Sequence, residues 1–246
     1  MPELIASLDP VAVLREKRKA TDPDPVAAAV VAEMAGVAAV AVHLRGDRKY
    51  VQERDVRLLR ELVKTRLHLA LPPVNESVKI AYAVKPDLVS LVPERHEEIS
   101  SSKGLDVILN QVHLKKLVRA LREGGVKVAL LSDPDPDQVK ATQTTEADAI
   151  ILNTRLYADT AREKEARDEL DRVDASARIA RKLGLRVMAG HGLDYTNVRA
   201  VARIREIEAI EVGHALIARA VFCGLEQAVR ELRAVVADAR SAAGPD

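Results

Sequence analysis

Eight short apolar runs, rich in valine, isoleucine and leucine, recur along the chain at intervals of about 20 to 40 residues. They are Leu4 to Leu8, Val37 to Leu44, Leu67 to Leu71, Leu88 to Val92, Val126 to Leu131, Ala149 to Leu152, Leu185 to Ala189 and Ala209 to Val212. They lack regular polar alternation, so they read as strands covered on both faces. The segments between them carry the period of surface helices. In Asp55 to Thr65, for instance, Val56, Leu58, Leu59, Leu62 and Val63 share one side and Arg57, Arg60, Glu61 and Lys64 the other. Alternation of this kind requires a parallel sheet with right-handed crossovers, and eight units favour closure into a (β/α)8 TIM barrel with extra helices over an open doubly wound sheet.

Helix punctuation fits the same frame. Asp24-Pro25 reads as an N-cap followed by an N1 proline, and Gly124-Gly125 and Gly184 stop helices just before strands. Two helical stretches, Leu105 to Arg122 and Asp159 to Leu183, exceed what a barrel needs. The second is dense in charges at i,i+4 spacing, such as Glu163 with Arg167. A length of 246 residues with 48% hydrophobic residues suits one domain spanning 1–246, with a frayed tail over about 241–246.

Charge and composition narrow the partners. Lys and Arg number 38 against 37 Asp and Glu, a formal charge of +1, so no global field favours nucleic acid or an anionic membrane. Aromatics at 2% offer no stacking platform for single strands. No apolar stretch approaches the length needed to span a bilayer, and no basic region precedes an apolar core at the N-terminus. Cys223 is the only cysteine, which fits a reducing cytoplasm and gives no thiolate zinc site. No His-x-x-His pair at ligand spacing, Gly-x-Gly-x-x-Gly turn or Walker loop is present, so neither a metal nor a nucleotide cofactor is expected.

In a barrel, chemistry gathers where strands end. That rule selects Asp9, His43 with Arg45, Ala70, Glu94 with Arg95, Ser132 with Asp133, Asn153 to Arg155, His191 and His214. Ala189-Gly-His-Gly192 and Val212-Gly-His-Ala215 follow the seventh and eighth runs, where glycines and a helix N-terminus can cradle an anion. An imidazole at His43 suits proton transfer near neutrality, and Arg45 can grip a phosphate or carboxylate. Arg15 and Arg18 form a second basic pair that could clamp a phosphate or cap a helix.

Together these residues resemble the pyridoxine 5'-phosphate synthases of the deoxyxylulose-dependent vitamin B6 pathway. The carriers are Asp22-Pro-Asp-Pro-Val26, Val42-His-Leu-Arg45 with Asp47-Arg48, Arg54-Asp-Val-Arg57, Leu91-Val-Pro-Glu94, Gly104-Leu-Asp-Val107, Tyr157-Ala-Asp159, Ala189-Gly-His-Gly-Leu193 and Gly213-His-Ala215 with Arg219-Ala-Val221. The resemblance implies a cofactor-free condensation of 1-deoxy-D-xylulose 5-phosphate with an amino ketone phosphate, releasing inorganic phosphate and water, in a cytoplasmic homo-oligomer. It implies His43 and His191 as the catalytic histidines. Gly192, Gly213 and His214 fall in the phosphate-binding set, and Asp9, Arg18, Arg45 and Ser100 at substrate-binding positions.

The chain departs from the family pattern at several mouth positions. Ala70 stands where a catalytic glutamate is expected, Ile151 where a second carboxylate is, Asn153 and Tyr50 where histidines are, and Arg155-Leu156 for a Gly-Cys pair. The first-strand signature reads Ser7-Leu-Asp-Pro10. Three readings follow: a divergent enzyme using His43 and His191 on a small phosphorylated substrate, the family's own synthase with Glu94, Asp133 or His68 substituting as base, or a non-catalytic barrel binding a phosphorylated ligand.

Overall fold

A computed structural model describes residues 1–94 and 103–244. Its eight strands are β1 (Glu3–Ser7), β2 (Ala39–His43), β3 (Leu67–Leu71), β4 (Leu88–Leu91), β5 (Lys127–Ser132), β6 (Ala149–Asn153), β7 (Arg186–Gly190) and β8 (Ala209–Val212). Each pairs in parallel with its sequence neighbours, and β8 closes on β1, giving a closed (β/α)8 TIM barrel in the order β1 to β8. Every predicted strand is present, shifted by two residues at most.

The two-residue period of a strand divides each run between two cores. Ile5, Ala41, Val92, Leu131, Ile151, Met188 and Ala209 pack together inside the barrel. Leu4, Val40, Leu69, Leu130, Ile150, Val187 and Ile210 belong to the layer packed beneath the helices. A continuous apolar run is therefore what this topology demands, because both strand faces are covered.

The helices are α1 (Asp9–Arg18), α2 (Pro25–Met34), α3 (Glu53–Leu62), α4 (Asn75–Val84), α5 (Val107–Glu123), α6 (Pro136–Thr144), α7 (Arg155–Asp159), α8 (Glu163–Lys182), α9 (Val198–Arg203), α10 (His214–Cys223) and α11 (Leu225–Ser241). Asp24 caps α2 by accepting from Val26 N at 2.9 Å, with Pro25 in the first turn. Gly125 and Gly184 adopt φ of 78° and 80°, the left-handed geometry that ends a helix before β5 and β7.

Three expectations are corrected. α3 stops at Leu62, so Leu62 is 44% exposed instead of facing the core; beyond it, Lys64 N and Thr65 N donate to the Glu33 carboxylate. The stretch Asp159 to Leu183 is not one helix: Thr160 is extended and separates α7 from α8. Asp9, taken as the acidic residue of the first strand, is the first residue of α1. Ser100 and Arg95 lie outside the described residues.

The outer face of α8 is charged and laced by Glu163–Arg167, Glu169–Arg172 and Asp174–Arg178 pairs. Large exposed apolar side chains lie elsewhere, at Ile108, Leu109 and Val112 of α5 and at Val221 and Phe222 of α10. Among the described residues no helix is long and apolar enough to cross a membrane.

Candidate active site at the barrel mouth

His43 is the last residue of β2, and its ring lies against a carboxylate delivered by the loop after β4. Its Nε2 is 3.1 Å from Glu94 Oε1, while Gly46 N donates to the same oxygen at 3.0 Å. Burial pushes the Glu94 carboxyl up, but the His43 hydrogen bond, the Gly46 N–H and the His43 and Arg45 charges outweigh it and hold it below the usual carboxylate range. The backbone N–H of His43 donates to Asp9 Oδ1 at 2.7 Å, and Ser7 Oγ donates to Asp9 Oδ2 at 3.2 Å. Burial raises the Asp9 carboxyl above its ordinary value despite these bonds.

Arg45 is buried and donates through Nε and Nη2 to the two oxygens of Asp47, both at 3.0 Å. This bidentate grip fixes the guanidinium beside the mouth. Arg15 is committed differently: it clamps the fully buried Asp55 at 2.8 and 2.7 Å and donates to Tyr50 O. It ties α1 to α3, so neither the clamp nor the cap reading fits it. Arg18 is the exposed last residue of α1, about 13 Å along the helix from Asp9. The structure does not gather it with the other mouth residues of its own chain.

Across the barrel, β7 runs into a turn of unusual backbone. His191 has φ of 76°, rare for a non-glycine residue, and Gly192 follows at 79°. Thr154 pins this turn: its hydroxyl donates to Gly190 O and His191 O, both at 2.7 Å. A Cβ on Gly192 would sit 2.6 Å from Ala158 Cβ, so both conformation and space require glycine there. Gly213 precedes α10, and a Cβ on it would come within 3.1 Å of Ser7 Cβ. His214 opens α10 and is exposed.

Ala70 is in register with His43 on the adjacent strand, and Ile151 is packed inside the barrel. Of the three substitute bases, Glu94 contacts His43. Asp133 Oδ1 accepts from Gly104 N at 2.8 Å and Asn153 Nδ2 at 2.9 Å. His68 is 2% exposed beside the Arg66, Arg186 and Glu3 charges at the strand N-termini, the end opposite the mouth. Burial, with those arginines, lowers it to about 4, so it is neutral at neutral pH.

Thr154 lies within the selected stretch Asn153 to Arg155, but its hold on the β7 turn was not legible because it depends on a distant strand. One mouth residue escaped the sequence reading although it gave a signal: Glu211 is the single charge within Ala209 to Val212, a strand buried on both faces. Burial and the Asp9 charge raise its carboxyl to about 7. Among the described residues no cluster of metal-ligating side chains occurs.

The family model for the pyridoxal phosphate biosynthesis protein PdxJ matches residues 4–238. The chain is 45% identical over 232 residues to the pyridoxine 5'-phosphate synthase of Geotalea uraniireducens (strain Rf4), covering 94% of this chain and 97% of that one. The chain belongs to the pyridoxine 5'-phosphate synthase family. The synthase of Synechococcus sp. (strain JA-2-3B'a(2-13)) is 47% identical over 233 residues, covering 95% of this chain and 98% of the relative. Solved structures share the family barrel at far lower identity. One titled KGPDC from Streptococcus mutans superposes with a TM-score of 0.66 at 13% identity, covering 97% and 98% of the two chains. The tryptophan synthase A-subunit from Pyrococcus furiosus gives 0.62 at 16%, covering 95% and 97%. These two speak to the fold alone.

Proposed function

We propose that this chain is a working pyridoxine 5'-phosphate synthase, joining 1-deoxy-D-xylulose 5-phosphate to an amino ketone phosphate with loss of inorganic phosphate and water. The observation that carries the reading is identity of 45–47% along nearly the whole length of relatives that bear this name. In this reading His43 and His191 move protons, and the Gly192, Gly213 and His214 backbone cradles a phosphate at the start of α10, where the helix dipole favours an anion. Arg45 and Asp9 orient substrate, joined by Arg18 and Ser100 at family binding positions. No organic cofactor or metal takes part, and neither nucleic acid nor a membrane is a partner. Self-association into a homo-oligomer is supported by the exposed apolar side chains of α5 and α10, since burying them against a second copy removes them from water.

The test is direct. Purified protein incubated with both substrates should yield pyridoxine 5'-phosphate with one phosphate released per product, and His43→Ala should abolish turnover while retaining binding. No product above background overturns the reading. A second reading, a divergent enzyme acting on another small phosphorylated substrate, is favoured by one observation: positions 70 and 151 carry Ala70 and Ile151, which cannot transfer a proton. It would appear as stabilisation by sugar phosphates that depends on Arg45 and His214, without condensation.

A further inference from the structure

We infer that Glu211 is the acid–base carboxyl group of this mouth, serving from β8 the proton transfers that the methyl group of Ala70 cannot serve from β3. The inference deepens the synthase reading and rests on it.

The side chain is placed for that work by the sheet register. Glu211 pairs with Gly190 of β7 on one side and Ile5 of β1 on the other. Strand alternation sets it on the inward face, two residues above Ala209 in the barrel interior. Gly190 makes room for it: a Cβ there would fall 3.2 Å from Glu211 Cβ and 3.2 Å from Glu211 O. The carboxyl is enclosed by the barrel yet keeps partial solvent contact, which is the access a reacting group needs.

The groups around Glu211 leave its proton undecided. From α1, Asp9 faces it with a like charge. β1 brings Ile5 and Ser7 and β7 brings Gly190, none of them charged, and Asp9 in turn accepts from the backbone N–H of His43. No hydrogen bond or cation among the described residues compensates the carboxyl. A buried carboxyl with no donor destabilises a fold. Two carboxyls sharing one space separate into an ionised partner and a protonated one, which is how acid–base sites are built. Burial raises both carboxyls, and the Asp9 charge helps bring Glu211 to about 7, so the Glu211 proton is exchangeable near neutrality.

The step balances without a co-reactant. The Glu211 carboxylate takes a proton from a C–H bond of the bound condensation intermediate, and the C–H bonding pair becomes the double bond to the neighbouring carbon as that carbon's bond to its hydroxyl breaks. The carboxylic acid then returns the proton to the departing hydroxyl, which leaves as water with its bonding pair.

The experiment compares wild type, Glu211→Gln, Glu211→Asp, Ala70→Glu/Glu211→Gln and the exposed control Glu226→Gln, using both substrates from pH 5.5 to 9 with folding checked by circular dichroism. Wild type should show a rate that rises with pH through about 7. Glu211→Gln should lose about 10²- to 10⁴-fold in kcat, with KM nearly unchanged and the acid limb gone. Ala70→Glu/Glu211→Gln should recover at least tenfold of that loss, and Glu226→Gln should match wild type. If Glu211→Gln does not fold, Glu211→Asp, which withdraws the carboxyl by one methylene, should fold with a lowered rate and a displaced limb. Undiminished kcat in folded Glu211→Gln, or a reduced kcat that keeps the acid limb, overturns the inference while leaving the synthase reading intact. A wild type that makes no product overturns the synthase reading, and this inference falls with it.

Discussion

His43 Nε2 and Glu94 Oε1 stand 3.1 Å apart, joining the end of β2 to the loop after β4. A carboxylate so placed fixes the imidazole orientation. Glu94→Gln should therefore lower kcat about 10²-fold with little change in KM. Because Glu94 is held below the usual carboxylate range, the pair should persist into mildly acid solution. Steady-state kinetics of the variant at pH 6 and 8 check this; a wild-type kcat at both would remove Glu94 from the proton path.

Arg15 and Asp55 form a buried bidentate pair that holds α1 against α3. Arg15→Met strands the Asp55 charge and should cost about 3–5 kcal/mol, whereas Arg15→Met/Asp55→Leu should recover most of that loss. Urea unfolding of the three proteins measures it. A cost below about 1 kcal/mol for the single variant would show that solvent reaches Asp55.

His68 gives the barrel floor a pH dependence. Unfolded histidine takes a proton below about 6.5, whereas buried His68 resists until about 4, so the unfolded chain binds more protons between those values. Stability is unaffected by His68 above pH 6.5 and falls as pH drops through this window, by up to roughly 3 kcal/mol. His68→Gln should flatten that decline. Equal losses between pH 7 and pH 5 in the variant and wild type would contradict it.

Gly192 and Gly184 share a left-handed backbone but differ in surroundings. A Cβ at Gly192 meets Ala158 at 2.6 Å, whereas nothing lies within 4 Å of one at Gly184. Gly184→Ala should cost only the conformational preference, about 1 kcal/mol, and keep full activity. Gly192→Ala adds a clash beside His191 and should cost about 2–3 kcal/mol and raise KM for the phosphorylated substrates at least tenfold. Thermal melts and KM values of both variants separate the two contributions.

The eight strands were legible because burial on both faces leaves a local mark, an unbroken apolar run between helical periods. Helix ends were less so. Leu62 keeps the periodic spacing of α3 but lies where the helix stops, and Thr160 divides a charged stretch whose period continues across it.

His43, Arg45, His191, Gly192, Gly213 and His214 followed from knowing that strand ends converge. Arg18 came instead from the family resemblance, and α1 carries it about 13 Å along the helix from Asp9.

By itself the sequence determined the closed parallel barrel and the strand ends at which chemistry gathers, since hydrophobic period and glycine punctuation are local properties. Only the tertiary structure decided the protonation and pairing of those groups. Whether Glu211 holds a proton depends on Asp9 from the other end of the chain and on the space left by Gly190, and electrostatic energies depend on separation in space, not along the chain.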